Sequence, residues 1–164
     1  MNFKDLSSKA WTMPSKIGTL HLVATGKALT GLYLSDPKVA KIQSLREKTP
    51  QAVILAMACQ QLSEYFDKKR QVFDLPLDAA GTDFQKLVWS ELSQIPFGTT
   101  VSYGEVARRI GKPKAFRAVG SANGKNPIAL IVPCHRVIAS GGKMGGYSGG
   151  LGIKMKLLEL EESK

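Results

Sequence analysis

Cysteine is the scarcest chemically useful residue here. There are two in 164 residues, Cys59 and Cys134, with no Cys-x-x-Cys pair. That excludes a disulfide framework and a clustered zinc site, so both read as free thiols. Histidine is equally rare, with only His21 and His135; Cys59 and His21 are the only candidate ligands in the N-terminal half and form no matching cluster, so no metal is predicted. No run approaches the roughly 18 consecutive apolar residues of a membrane span. The opening Met-Asn-Phe-Lys-Asp-Leu lacks the apolar centre of a secretory signal. The expectation is a cytoplasmic protein without membrane contact. Acidic residues are also short, 13 against 23 Lys and Arg, for a net charge of +10. From Val101 to Lys125 there are six basic residues (Arg108, Arg109, Lys112, Lys114, Arg117, Lys125) and one acid, Glu105. Such a stretch is either a solvated helix face or a surface for nucleic acid.

The chain has room for one large core or two small ones. Residues 11 to 35 alternate as two antiparallel strands around a Gly26-Lys27 turn. A helix is predicted over 51–68 with Leu55, Cys59, Leu62 and Phe66 packed. The segment from Leu75 to Gly81 breaks the pattern and reads as the join between an N-terminal α/β domain, 1–80, and a mainly helical domain, 81–164. A helix follows from Thr82 or Asp83 to Gln94, with Phe84, Leu87, Val88 and Trp89 inward.

Ser102 and Glu105 have the spacing of a capping box. Tyr103, Val106, Ala107 and Ile110 recur at helical spacing, and Gly111 with Pro113 stops the helix. A second helix packs Ala115, Ala118, Val119 and Ala122, leaving Arg117, Gly120, Ser121 and Gly124 outward. Two short helices joined by a four-residue turn and edged with cations form a helix-turn-helix pattern. The outward face lacks the Asn or Gln pair that reads adenine, so its small residues suit close approach to sugar-phosphate, with Arg117 as a long probe.

Ile-Val-Pro-Cys-His-Arg-Val, residues 131–137, puts a thiol beside an imidazole. Cysteine attacks as thiolate and needs a proton acceptor. On an extended backbone the two side chains point apart, so a water is expected to bridge Cys134 and His135. A buried structural cysteine is the competing reading. On the C-terminal helix, Leu151, Ile153, Met155, Leu157, Leu158 and Leu160 span an apolar arc with Glu161 near its middle. A core-facing carboxylate needs a partner, and His135 is the candidate; otherwise the last turn is frayed and wet. Lys154 also falls near the arc's centre and is expected to snorkel outward. The six glycines between Gly141 and Gly150 do not end in Gly-Lys-Ser or Gly-Lys-Thr, against a phosphate-binding loop.

Pro-Cys-His-Arg-Val, the helix pair before it, Tyr-Ser-Gly-Gly after it and the late glutamate stand in the order found in the O6-alkylguanine-DNA alkyltransferases, and the chain resembles that family. The resemblance is close from Thr82 to Glu161 and looser before. It implies a ribonuclease-H-like N-terminal domain and a single-turnover DNA repair activity. Cys134 would accept the alkyl group from O6 of guanine, and possibly from O4 of thymine. It further implies that His135 relays the proton, Glu161 orients the imidazole, Tyr103 rotates the phosphate and donates toward the base, and Arg117 fills the vacated stack. Gly120, Ser121 and Lys112 would lie on the DNA, and Asn126, Pro133, Tyr147 and Ser148 would shape the guanine pocket. No cofactor is implied. The partner would be double-stranded DNA carrying O6-alkylguanine, met by a monomer. The alternatives are a protein that recognises alkylated bases and recruits other repair factors without transfer, and a thiol hydrolase that turns over repeatedly.

Overall fold

The computed structural model describes residues 7–162. The chain divides into two compact units between Ala80 and Gly81.

In the first unit a three-stranded antiparallel sheet has the order β1 (Lys9–Met13), β2 (Leu20–Ala24), β3 (Leu29–Tyr33). The meander thus has one strand more than the alternation suggested, because residues 9–13 pair with β2, Trp11 opposite Leu22. Thr25 and Ala28 close the Gly26-Lys27 turn, and the register slips at Val23/Ala24. Helix α1 (Pro50–Phe66) starts where Thr49 accepts from the Ala52 N–H and Pro50 takes the first helical position. It buries Ala52, Leu55, Ala58, Leu62 and Tyr65. Each buried leucine contributes about 1.5–3 kcal/mol. Cys59 lies at the margin of that face and is only half-buried. The segment expected to be a plain join instead runs beside β3: Leu29 N–H donates to Pro76 O at 2.8 Å, and Asp78 N–H to Leu29 O at 3.0 Å. The Gln61 amide holds both backbone groups of Asp74, each at 2.8 Å.

The second unit is mainly helical. Helix α2 (Asp83–Leu92) opens with a complete capping box between Thr82 and Gln85. It buries Val88, Trp89 and Leu92, whereas Leu87, expected inward, is 43% exposed because it falls off the stripe those three define. The Trp89 indole donates to Ala122 O at 2.8 Å, tying α2 to α4 (Phe116–Gly124). Helix α3 (Tyr103–Arg109) follows directly on the short strand β4 (Val101–Ser102). Ser102 caps α3 through the Glu105 N–H at 3.0 Å. The Glu105 carboxylate, however, turns to Arg108 and Arg109, so only half the expected capping box forms. Six residues rather than four join α3 to α4, because Lys112–Ala115 makes its own hydrogen-bonded turn. Ala118 is exposed and Asn123 buried: the inner stripe of α4 is Val119, Ala122 and Asn123. The chain then forms β5 (Val137–Ile138) and ends in α5 (Leu151–Glu162).

Candidate active site

The segment leading to Cys134 is shaped by one side chain. Asn126 accepts from the Ile128 N–H at 3.0 Å and donates to Val132 O at 2.8 Å, clasping the turn from inside. Leu130 takes a positive φ of 70° within that clasp. Pro133 then precedes a single 3-10 turn, Cys134–Arg136, which replaces the extended backbone expected there. The turn sets Cys134 and His135 on a tight corner, after which β5 pairs parallel with β4, Val101 beside Val137. Because α3 begins at the end of β4, this pairing brings Tyr103 to the cysteine.

His135 is fully buried and its Nε2 lies 2.7 Å from Glu161 Oε1. A carboxylate only accepts, so Nε2 carries the hydrogen and Nδ1 is left with a free lone pair. Nδ1 is buried and has no protein partner. Burial lowers the imidazole pKa below 6.5, and Glu161 only partly offsets that, so the ring is a neutral base. Glu161 itself is 5% exposed. Burial pushes its pKa up, but hydrogen bonds and charge from His135 and Arg136 outweigh that and bring it to about 2. Arg136 Nε and Nη2 each donate to the carboxylate at 2.9 Å, Arg136 Nη1 donates to Ile95 O at 2.7 Å, and the Gly98 N–H approaches Oε2 at 3.4 Å. The ionised acid is therefore balanced by a cation, and the imidazole can stay neutral.

Lys154 is the largest departure from expectation. It is fully buried rather than snorkelling. Its Nζ donates to Val137 O at 2.7 Å, Met144 O at 2.5 Å and Gly146 O at 3.3 Å. Three carbonyls take up all three ammonium hydrogens; burial lowers the Lys154 pKa, and the charge of Cys134 pulls it back up in part. The inner stripe of α5 is Lys154, Leu157, Leu158 and Glu161, while Leu151 and Met155, assigned to the apolar arc, are 51% and 46% exposed. Two charged ends with satisfied partners override a purely apolar periodicity.

Around the thiol the groups converge. Cys134 is 2% exposed and burial raises its pKa, against which the Asn126 side chain and the Lys154 charge pull downward. The Tyr103 and Tyr147 hydroxyls are raised by burial and then by the charge of Cys134. The Tyr147 hydroxyl is buried without a partner. Tyr103 spans the site: its ring stands over Gly120 of α4, and a Cβ built at Gly145 of the glycine loop would lie 2.9 Å from its hydroxyl. Arg117, Ser121, Lys112 and Ser148 are exposed, whereas His135 and Glu161 are buried. Sequence reasoning missed Arg136, Lys154 and Asn123, whose Nδ2 donates to Cys134 O at 3.3 Å. Arg136 follows His135 directly, which was the available signal.

Cys134 precedes a buried His135 that pairs with Glu161, on a unit whose helix pair carries exposed cations. The family model described as 6-O-methylguanine DNA methyltransferase, DNA binding domain, matches residues 83–163, and that family's ribonuclease-like domain matches residues 10–79. The chain belongs to the 6-O-methylguanine DNA methyltransferase family. A methylated-DNA--protein-cysteine methyltransferase of Mycobacterium tuberculosis is 49% identical over 153 residues, 93% of this chain and 92% of that one. One from Methanosarcina barkeri is 48% identical over 150 residues, 91% and 94% of the two chains. Among solved structures, the Mycobacterium tuberculosis O6-methylguanine methyltransferase superposes with a TM-score of 0.82 at 48% identity, covering 95% of this chain and 93% of that one. Mycobacterium tuberculosis OGT in complex with DNA gives 0.81 at 48% identity, covering 95% and 92%.

Proposed function

We propose that this protein repairs DNA by direct reversal, moving an alkyl group, methyl above all, from O6 of guanine onto Cys134. The observation that carries this reading is the Cys134, His135, Glu161 corner with its free Nδ1. The Cys134 proton passes through a water to His135 Nδ1, and Glu161 and Arg136 hold the ring in the tautomer that can take it. The thiolate attacks the alkyl carbon, the carbon–O6 bond breaks, and its electron pair stays on the guanine oxygen and ring. Tyr103 hydrogen-bonds to the leaving base and keeps its own proton, and the proton taken up by His135 returns through water to the guanine anion. A thioether remains, no group in the chain reverses it, and each protein acts once.

Reaching O6 requires extruding the nucleotide from the stack at a cost of a few kcal/mol. α3 and α4 serve as the helix-turn-helix: Lys112, Gly120 and Ser121 lie along the backbone, and Arg117 occupies the vacated place. Pro133, Asn126, Tyr147 and Ser148 frame the flipped base. Residues 81–164 are the DNA-binding and acceptor domain, residues 1–80 a ribonuclease-H-like companion, and the protein works as a cytoplasmic monomer without a cofactor.

Intact mass after incubation with an O6-methylguanine duplex tests this. The expected gain is one methyl group per chain, absent in Cys134→Ala, which still binds the duplex. Retained binding with no mass gain in the wild type would leave recognition without repair. Continued turnover on an ester or amide would make the protein a hydrolase.

A further inference from the structure

Helix α4 opens on Phe116, whose side chain is 48% exposed, and the Arg117 guanidinium carbon lies 5.7 Å from its ring centroid. Isolated exposed apolar residues are ordinary, but the setting of this one is not. Lys112, Lys114, Arg117 and Lys125 are all exposed, and no acid occurs between Lys112 and Lys125. An acid-free, exposed cationic stretch attracts a polyanion, and the ring within it suits a partner with flat apolar faces between its charges. Duplex DNA has both.

Position strengthens the argument. Gly120 follows Phe116 by four residues and so lies one turn along the same face. The Tyr103 ring stands over Gly120, with 3.8 Å to a Cβ built there, and Tyr103 is close enough to Cys134 for the thiol's charge to raise its hydroxyl pKa. A line therefore runs from the sulfur through Tyr103 and Gly120 to Phe116 at the outer edge. We propose that Phe116 is a second wedge, entering the groove beside Arg117 and stacking on the base next to the vacated position. This inference rests on the repair reading above and adds a residue to it. Aromatic wedges kink and unstack a base step, and stacking on one base is commonly worth about ten-fold in affinity or more. Arg117 keeps its separate place in the stack.

Transfer rates of Phe116→Ala and Phe116→Leu on an O6-methylguanine duplex and on free O6-benzylguanine test the proposal. Phe116→Ala is expected to be about ten-fold or more slower on the duplex and unchanged on the free base, with Phe116→Leu within about three-fold of wild type because leucine also wedges. Adding Phe116→Ala to Arg117→Ala should slow duplex repair further. Wild-type rates on both substrates, equal loss on both, or a double variant no slower than Arg117→Ala alone would each overturn the wedge. If wild-type protein transfers nothing to either substrate, it is the repair reading that falls instead.

Discussion

Lys154 and Glu161 stand two turns apart on the same buried face of α5, and each ends in a fully committed set of polar partners. Lys154 binds carbonyls of β5 and of the glycine loop, whereas Glu161 binds His135, Arg136 and the Gly98 N–H. One helix therefore holds both the glycine loop and the His135 imidazole.

Lys154→Met keeps most of the volume but leaves the Val137, Met144 and Gly146 carbonyls without their donor. Unsatisfied buried acceptors make this variant less stable by about 3 kcal/mol. Urea unfolding should show that loss, and amide exchange should quicken through residues 139–150. A loop exchanging at the wild-type rate would count against the clamp.

Removing the Glu161 charge strands Arg136. Glu161→Gln is expected to cost about 3–5 kcal/mol, as for breaking a buried pair. The pH signature is specific. With a folded pKa of about 2 against 4.5 for the free group, the acid adds stability above pH 4.5 that disappears as pH falls toward 2, about 3 kcal/mol in all. Stability measured across that window should slope in the wild type and flatten in Glu161→Gln. Matching slopes would exclude the carboxylate as the source.

His135 acts in a higher window. Its folded pKa lies below 6.5 because burial disfavours the imidazolium, so the unfolded chain takes up a proton first on acidification. That contribution is complete above pH 6.5 and is lost as pH falls through the folded value. Urea midpoints between pH 8 and pH 5 should therefore decline with acid. NMR should show His135 still neutral at pH 6.5. A ring half-protonated there would contradict the neutral base.

Gly145 has φ of 68°, and its missing side chain makes room for the Tyr103 hydroxyl. Gly145→Ala adds about 1–2 kcal/mol of backbone strain and pushes Tyr103 aside. Alkyl transfer to free O6-benzylguanine should fall by about ten-fold or more, with stability lowered by no more than about 1–2 kcal/mol. Undiminished transfer would show that the hydroxyl does not depend on the loop.

Much of the site was legible. The pairing of His135 with Glu161 followed from adjacency and helical phase and the Ser102 cap from its spacing to Glu105, whereas Tyr103 entered the site only through the family resemblance. Leu87, Ala118, Leu151 and Met155 were misplaced because periodicity treats every apolar residue as inward, whereas short helices bury only two or three positions per face. Lys154 was misread for the complementary reason: a lysine scores as solvent-facing until the strand and loop before its helix fold back and supply three carbonyls.

The local order of residues settled which groups could do chemistry here: one thiol beside an imidazole, an acid at the right helical phase, and cations massed between 108 and 125. Only the folded chain decided their relations. The β4–β5 pairing and the contacts of Arg136 with Glu161 and Ile95 join segments far apart in sequence. Their geometry depends on which buried polar groups satisfy one another, and no single stretch of chain contains that information.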